Sequence, residues 1–248
     1  MQVNIKIDGL SDVRAMLGNA ARQANFAASR ALNTTAYAIN GQLKKDMAST
    51  FKGGATAYTL RAFSVERADK ARLTAAVTLR TDGPGGNGTA YAKALRHLFT
   101  GGTRDFKKLE GFLRGLRLIP NGLTVAPGAA MPLDGYGNMR RPALTEMLGV
   151  LKAHQNNLRV YRRSGTGKAQ KAIGYFVVLP GDKSKLHPGI YKRLETGKTS
   201  VIKPMVLYVD PVNYRRFIDL EKLGRTTAAK TFQSAFDAEL ARALANAK

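Results

Sequence analysis

The chain has 248 residues and carries 40 Lys and Arg against 17 Asp and Glu, a formal charge of +23 with a sequence pI near 10.5. Apolar residues make up 44%, an ordinary share for one large or two small globular domains and too high for a disordered basic tail. There is no cysteine, which removes disulfides, thiolate catalysis and cysteine-based zinc sites.

A subunit so charged repels itself, so the composition predicts a polyanion or an acidic neighbour that offsets the excess. Solubility alone is the plainer alternative, although added acids serve that purpose better. The first thirteen residues alternate and then turn polar, unlike a signal peptide. No apolar run approaches the ~20 residues that span a bilayer. The expectation is synthesis in a cytoplasm without membrane insertion.

Val3, Ile5 and Ile7 alternate with polar residues and predict a short half-buried strand. From Asp12 to Phe51 the pattern turns helical: Val13, Leu17, Ala20, Ala24, Ala27, Ala31, Ala36, Ile39, Leu43 and Met47 recur mostly at steps of three or four. An alanine-rich stripe lets another helix approach closely, and its length suits packing against a second subunit. Gly18 and Gly41 weaken the pattern, so it reads as two helices or one bent one. Gly53 and Gly54 end it. Residues 59–81 predict two strands around a polar turn, and residues 82–88 a flexible break. Residues 89–102 predict a short helix closed by glycines.

From Arg104 to Gly174, Gly and Pro recur and periodicity is poor, apart from an amphipathic stretch from Pro142 to Leu158. This reads as a loop-rich insertion with one helix, and so long a loop is usually functional or folds against a partner. Residues 174–180 and 205–211 are strand-like, with a hairpin or extended loop between them. Asp210 and Pro211 supply a carboxylate cap and an N1 proline for the last helical region, which reads as one amphipathic helix or, broken at Gly224, a pair of them. Ala228, Phe232, Phe236, Leu240 and Leu244 then recur at four-residue steps. The class is α+β: a long N-terminal Ala-rich helix and a C-terminal amphipathic helix on a small, mostly antiparallel sheet. The expected domains are a core of residues 1–83 and 175–248 and a basic insertion of residues 84–174.

Motifs for chemistry are weak. Gly83, Gly85 and Gly88 resemble a dinucleotide-binding loop followed at a suitable distance by Glu110. Pro84 removes a donor there and no βαβ alternation follows, so a plain loop is the better reading. Residues 164–171 resemble half a phosphate-binding loop, but Arg162 replaces the first glycine and Ala169 the magnesium-binding hydroxyl. His97, His154 and His187 lie far apart, without ligand-like spacing. Asp219 with Glu221, and Asp237 with Glu239, face apart on a helix and form no catalytic pair. The expectation is no enzyme, no cofactor and no metal.

The distribution of cations says more. Residues 84–205 hold 21 Lys or Arg and 6 Asp or Glu. No acid lies between Glu146 and Asp182, where Lys152, Arg159, Arg162, Arg163, Lys168 and Lys171 accompany Tyr161. Arg104, Lys107, Lys108, Arg114 and Arg117 form a second set and Arg140 with Arg141 a third. The candidate contacts for DNA or an acidic partner are Arg159, Arg162, Arg163, Lys168, Lys171, Arg104, Lys107, Lys108, Arg140 and Arg141. Such groups neutralise phosphates without reading bases; a solvated face or an acidic protein neighbour remains the alternative. No helix-turn-helix, zinc-finger or RNA-recognition signature accompanies them.

Residues 20–51, with Ala31, Asn33 and Ala36 as a central A-x-N-x-x-A, resemble the opening helix of the minor tail protein Z family of lambda-like tailed phages. Residues 203–245, a strand, a proline and a basic amphipathic helix, resemble that family's finish, and residues 186–198 resemble its short basic, Gly-containing turn. The resemblance covers about 110 residues. It implies a structural virion protein, a tail-completion or neck component at the head-to-tail junction. Such a protein forms an oligomeric ring near the DNA channel, beside other tail or neck proteins. It carries over no catalytic residue. A stand-alone, sequence-nonspecific nucleic-acid-binding protein is the alternative, and an enzyme using the Gly83–Gly88 loop a distant third.

Overall fold

The computed structural model describes residues 2–5, 21–83, 89–153, 174–196 and 199–245. It divides into two compact units, Met1–Gly102 with Asn213–Lys248, and Thr103–Val212. The fold is α+β, with antiparallel sheets and long helices near both ends.

The first unit holds β1 (Gln2–Ile5), α1 (Ala21–Thr50), α2 (Ala57–Leu60), β2 (Phe63–Glu66), β3 (Ala75–Leu79), α3 (Tyr91–Thr100) and, after the return of the chain, α6 (Leu220–Ala245). β3 lies between β1 and β2, antiparallel to both. The helical period of α1 divides into two parts with different partners. From Leu32 onward, Leu32, Ile39, Leu43 and Met47 pack with Phe63, Val77, Leu79, Leu95 and Phe99. Before Leu32 the buried apolar residues are alanines: Ala27, Ala28 and Ala31 are fully buried with Phe236 of α6. Small side chains permit the close approach, and the aromatic ring supplies the bulk the alanines lack. Arg30 pairs with Glu239 at 2.7 Å, and Asp46 and Thr50 share a cleft with Lys222 and Thr226, so α1 and α6 run antiparallel.

The stripe expected to meet a second subunit is therefore covered by the chain's own last helix. α1 passes Gly41 without a break, because a helix tolerates an isolated glycine for about 1 kcal/mol. It ends at the expected glycines, Gly53 and Gly54, both at positive φ (89° and 85°). The last helix starts later than Asp210–Pro211 suggested. The N–H groups of Phe217 and Ile218 are taken by the Leu98 carbonyl (2.9 and 3.3 Å), and the capping carboxylate is Asp219, whose Oδ1 accepts the Lys222 N–H at 3.0 Å. Of the two expected forms, one helix or a pair, the chain takes the first, with Gly224 buried within it.

The second unit contains α4 (Lys108–Gly115), β5 (Thr124–Pro127), α5 (Arg141–Ala153), β6 (Gly174–Val178), β7 (Gly189–Thr196) and β8 (Thr199–Val209). Its antiparallel sheet has the order β5-β8-β7-β6. Leu113 of α4 and Met147 and Leu151 of α5 pack with Val125, Val177, Ile190, Val206 and Tyr208. The register slips by one between Ile190 and Tyr191, and this bulge lets Met205 and Val206, neighbours in sequence, both reach the core. Two further short strands are β4 (Gly102–Thr103) and β9 (Asn213–Tyr214).

These boundaries correct the expected domains. The insertion starts at residue 103, not 84, because α3 packs into the core of the first unit through Leu95, Leu98 and Phe99. It ends at residue 212, not 174, because β8 pairs with β5: Thr124 is opposite Val209 and Pro127 opposite Val206. One small sheet was expected; each unit has its own. The insertion is also richer than loops with one helix, since α4 and β5 belong to its core. The expected hairpin between residues 180 and 205 is β7–β8.

Candidate polyanion-contact surface

Of the cations singled out from the sequence, Arg159, Arg162, Arg163, Lys168 and Lys171 lie outside the described residues. So do most of the Gly83–Gly88 loop, residues 164–171 and His154. The other five fall in the second unit, and the fold treats them differently.

Arg104 faces inward. Its guanidinium donates to both oxygens of Glu110 (3.0 and 2.5 Å), and its side chain is only 14% exposed. Glu110 is fully buried and accepts the backbone N–H groups of Lys107 (2.6 Å) and Val125 (3.0 Å) as well. Burial alone would raise this carboxyl's pKa; the hydrogen bonds from Arg104, Val125 and Lys107 together hold it below the ordinary value. Arg104 is thus a structural ion and is withdrawn as a polyanion contact. Spacing alone could not reveal this, because Glu110 sits at N3 of α4, where a carboxylate commonly serves the helix start.

Lys107, Lys108, Arg140 and Arg141 are exposed. Lys107 and Lys108 open α4, and Arg141 opens α5. The Arg140 N–H donates to the Pro132 carbonyl at 2.8 Å, closing a turn ordered by Asp134. Oδ1 of Asp134 accepts the N–H groups of Tyr136 (2.9 Å) and Asn138 (2.8 Å). The Asn138 N–H, then the side-chain and Tyr136 hydrogen bonds, and last the Arg140 charge keep the Asp134 carboxyl below its usual pKa, against weak desolvation.

Aromatic groups among these cations escaped the sequence reading. Phe106 is 47% exposed and Phe112 37%. The guanidinium carbon of Arg114 lies 3.6 Å from the centroid of the Phe106 ring, within stacking distance, while Nη2 donates to the Leu123 carbonyl at 2.7 Å. The available signal was the phenylalanine between Arg104 and Lys107, with Arg114 two turns further on.

Among the described residues the carboxylates gather into no group of three or more that could hold a metal ion. A cleft of about 620 Å³ between α1 and α6 is lined by Asp46, Asp219, Lys222, Lys230 and several hydroxyls. Asp46 accepts from Gln42 at 2.6 Å, and Asp219 pairs with Arg216 at 2.6 Å. Glu221 pairs with Arg225, Asp237 accepts from Gln233 and Glu239 pairs with Arg30 and Arg242. Each of these acids thus meets a cation or an amide, and Glu239 meets two cations. His97 lies against Tyr214, with ring centroids 4.8 Å apart, and Nδ1 of His187 meets the Pro188 carbonyl. Among the described residues no group of three or more His, Asp or Glu could hold a metal ion, and no helix is long and apolar enough to cross a membrane. No protein-family model, no curated protein and no solved structure matches the chain.

Proposed function

We propose that the chain is a structural component of tailed-phage particles, a tail-completion or neck protein at the head-to-tail junction. It forms a closed homo-oligomeric ring beside the DNA path and adjoins other tail or neck proteins. The observation that carries this reading is the packing of α1 on α6: the two segments whose sequences resemble the minor tail protein Z family build one antiparallel helix pair. The charge of +23 agrees with a place near DNA, and the paired carboxylates agree with a role in assembly and contact rather than catalysis.

The second reading is a stand-alone, sequence-nonspecific nucleic-acid-binding protein, favoured by exposed Lys107, Arg140 and Arg141 without a base-reading motif. Light scattering on the purified chain, with binding to mixed duplexes at two salt concentrations, separates the two. A closed oligomer at a fixed multiple of 26.8 kDa, binding duplex weakly, is expected. A monomer that binds duplex tightly, with affinity falling steeply in salt, would overturn the first reading in favour of the second.

A further inference from the structure

Helix α4 and its flanks combine exposed rings and cations in a way that phosphate contact alone does not require. At about 100° per residue, Arg114, Gly111, Gly115, Lys108 and Phe112 follow one another round the arc of α4 that Leu113 and the buried Glu110 leave open. Phe106 lies over Arg114 at one side of this arc, and Phe112 stands at the other. The surface between them is low, since a Cβ built at Gly111 or Gly115 meets nothing within 4 Å. The helix ends in a Schellman motif: the Arg117 N–H bonds to the Arg114 carbonyl (2.8 Å) and the Leu118 N–H to the Leu113 carbonyl (2.9 Å). That motif places Arg117 at the left-handed position, φ 56°, with its side chain exposed.

We infer that this face binds single-stranded nucleic acid, with Phe106 and Phe112 stacking on unpaired bases and Lys107 and Arg117 meeting the backbone phosphates. The inference rests on the polyanion-contact part of the proposed function and not on the ring. Charge selects an anionic partner. The rings select among anions: a duplex hides its base faces and an acidic protein offers carboxylates without flat π surfaces, whereas a single strand presents a face for each ring. Phe106 is already ordered for the task, because the guanidinium beneath it is tied to the Leu123 carbonyl. The stack then loses little freedom when a base joins it.

Fluorescence anisotropy of the full chain with a labelled oligothymidine about 12 nucleotides long, and with a mixed duplex, tests this. The Phe106→Ala, Phe112→Ala double variant should lose affinity for oligothymidine by about tenfold or more, keep its duplex affinity and its salt slope, and melt as the parent does. Phe106→Trp with Phe112→Trp should bind oligothymidine more tightly. Arg117→Gly should weaken binding to both probes and flatten the salt dependence without lowering the melting temperature. If the phenylalanine substitutions change nothing, or polyglutamate competes as well as oligothymidine charge for charge, the face is a contact for acidic protein and the inference is overturned. A ring indifferent to oligothymidine sinks this inference and leaves the assembly reading standing. A monomer whose oligothymidine affinity depends on both phenylalanines does the reverse.

Discussion

Arg104 and Glu110 form a two-pronged ion pair at the start of α4, and the carboxylate is fully enclosed. Two backbone N–H groups, from Lys107 and from Val125 of β5, complete its shell. One side chain therefore ties the approach to a helix, its first turn and a strand of the adjoining sheet.

Removing one member leaves the other buried without its partner. Arg104→Met should destabilise the second unit by about 3–5 kcal/mol, read by urea unfolding. Glu110 is held below its ordinary pKa in the fold, so its contribution is complete above the unfolded value near 4.5 and is lost as pH falls through the lower folded value. Glu110→Gln should remove this part of the acid sensitivity, so that variant and parent converge in stability as the pH falls from the unfolded value through the lower folded one.

Asn33 makes a comparable clamp in the first unit. Its Nδ2 donates to the Ala68 carbonyl (3.0 Å) and its Oδ1 accepts the Ala68 N–H (2.8 Å), which fixes the chain between β2 and β3 against α1. Asn33→Ala should cost about 1–3 kcal/mol in chemical denaturation followed by circular dichroism. Asn33→Asp keeps the acceptor but sets a carboxylate oxygen against the Ala68 carbonyl, so it too should fall below the parent at neutral pH.

Arg117 occupies a left-handed position at which glycine is the usual residue. The side chain's cost there exceeds the entropy that glycine adds to the unfolded chain. Arg117→Gly should therefore raise stability by about 0.5–1 kcal/mol, measured as a higher urea midpoint at unchanged slope.

Tyr208 is buried in the core of the second unit, and its hydroxyl has no hydrogen-bond partner among the described residues. Desolvation drives its pKa far above the ordinary phenol value, so it stays neutral at any physiological pH. Tyr208→Phe removes a polar atom that burial leaves unsatisfied and should stabilise the unit by about 1 kcal/mol. A loss of stability in thermal melts would show that a partner holds the hydroxyl in solution.

Much of the local architecture was legible because hydrophobic period depends on neighbours in sequence. The three-to-four-residue recurrence from Ala24 to Met47 marks the buried face of α1, and the runs at residues 174–180 and 205–211 mark β6 and part of β8. The same pattern does not name what covers a face. Ala27, Ala28 and Ala31 read equally well as a subunit contact, and only the fold places Phe236 on them. Domain boundaries failed for a related reason. Thr124 and Val209 are brought together by strand pairing across 85 positions, and no local window reports which distant strands will pair.

The candidate site divides along the same line. Net charge, the clustering of cations between residues 84 and 205 and the absence of cysteine are properties of the sequence itself, and they carry the expectation of an anionic partner before any fold is known. Whether a given cation is open to such a partner depends on what the chain folds beside it. Glu110, six residues away, draws Arg104 inward, while the Phe106 ring stacks on Arg114 and stays in view of solvent. Burial strengthens an ion pair and exposure weakens it, so the same residue type is a buried strut in one place and the support of an exposed ring in the other.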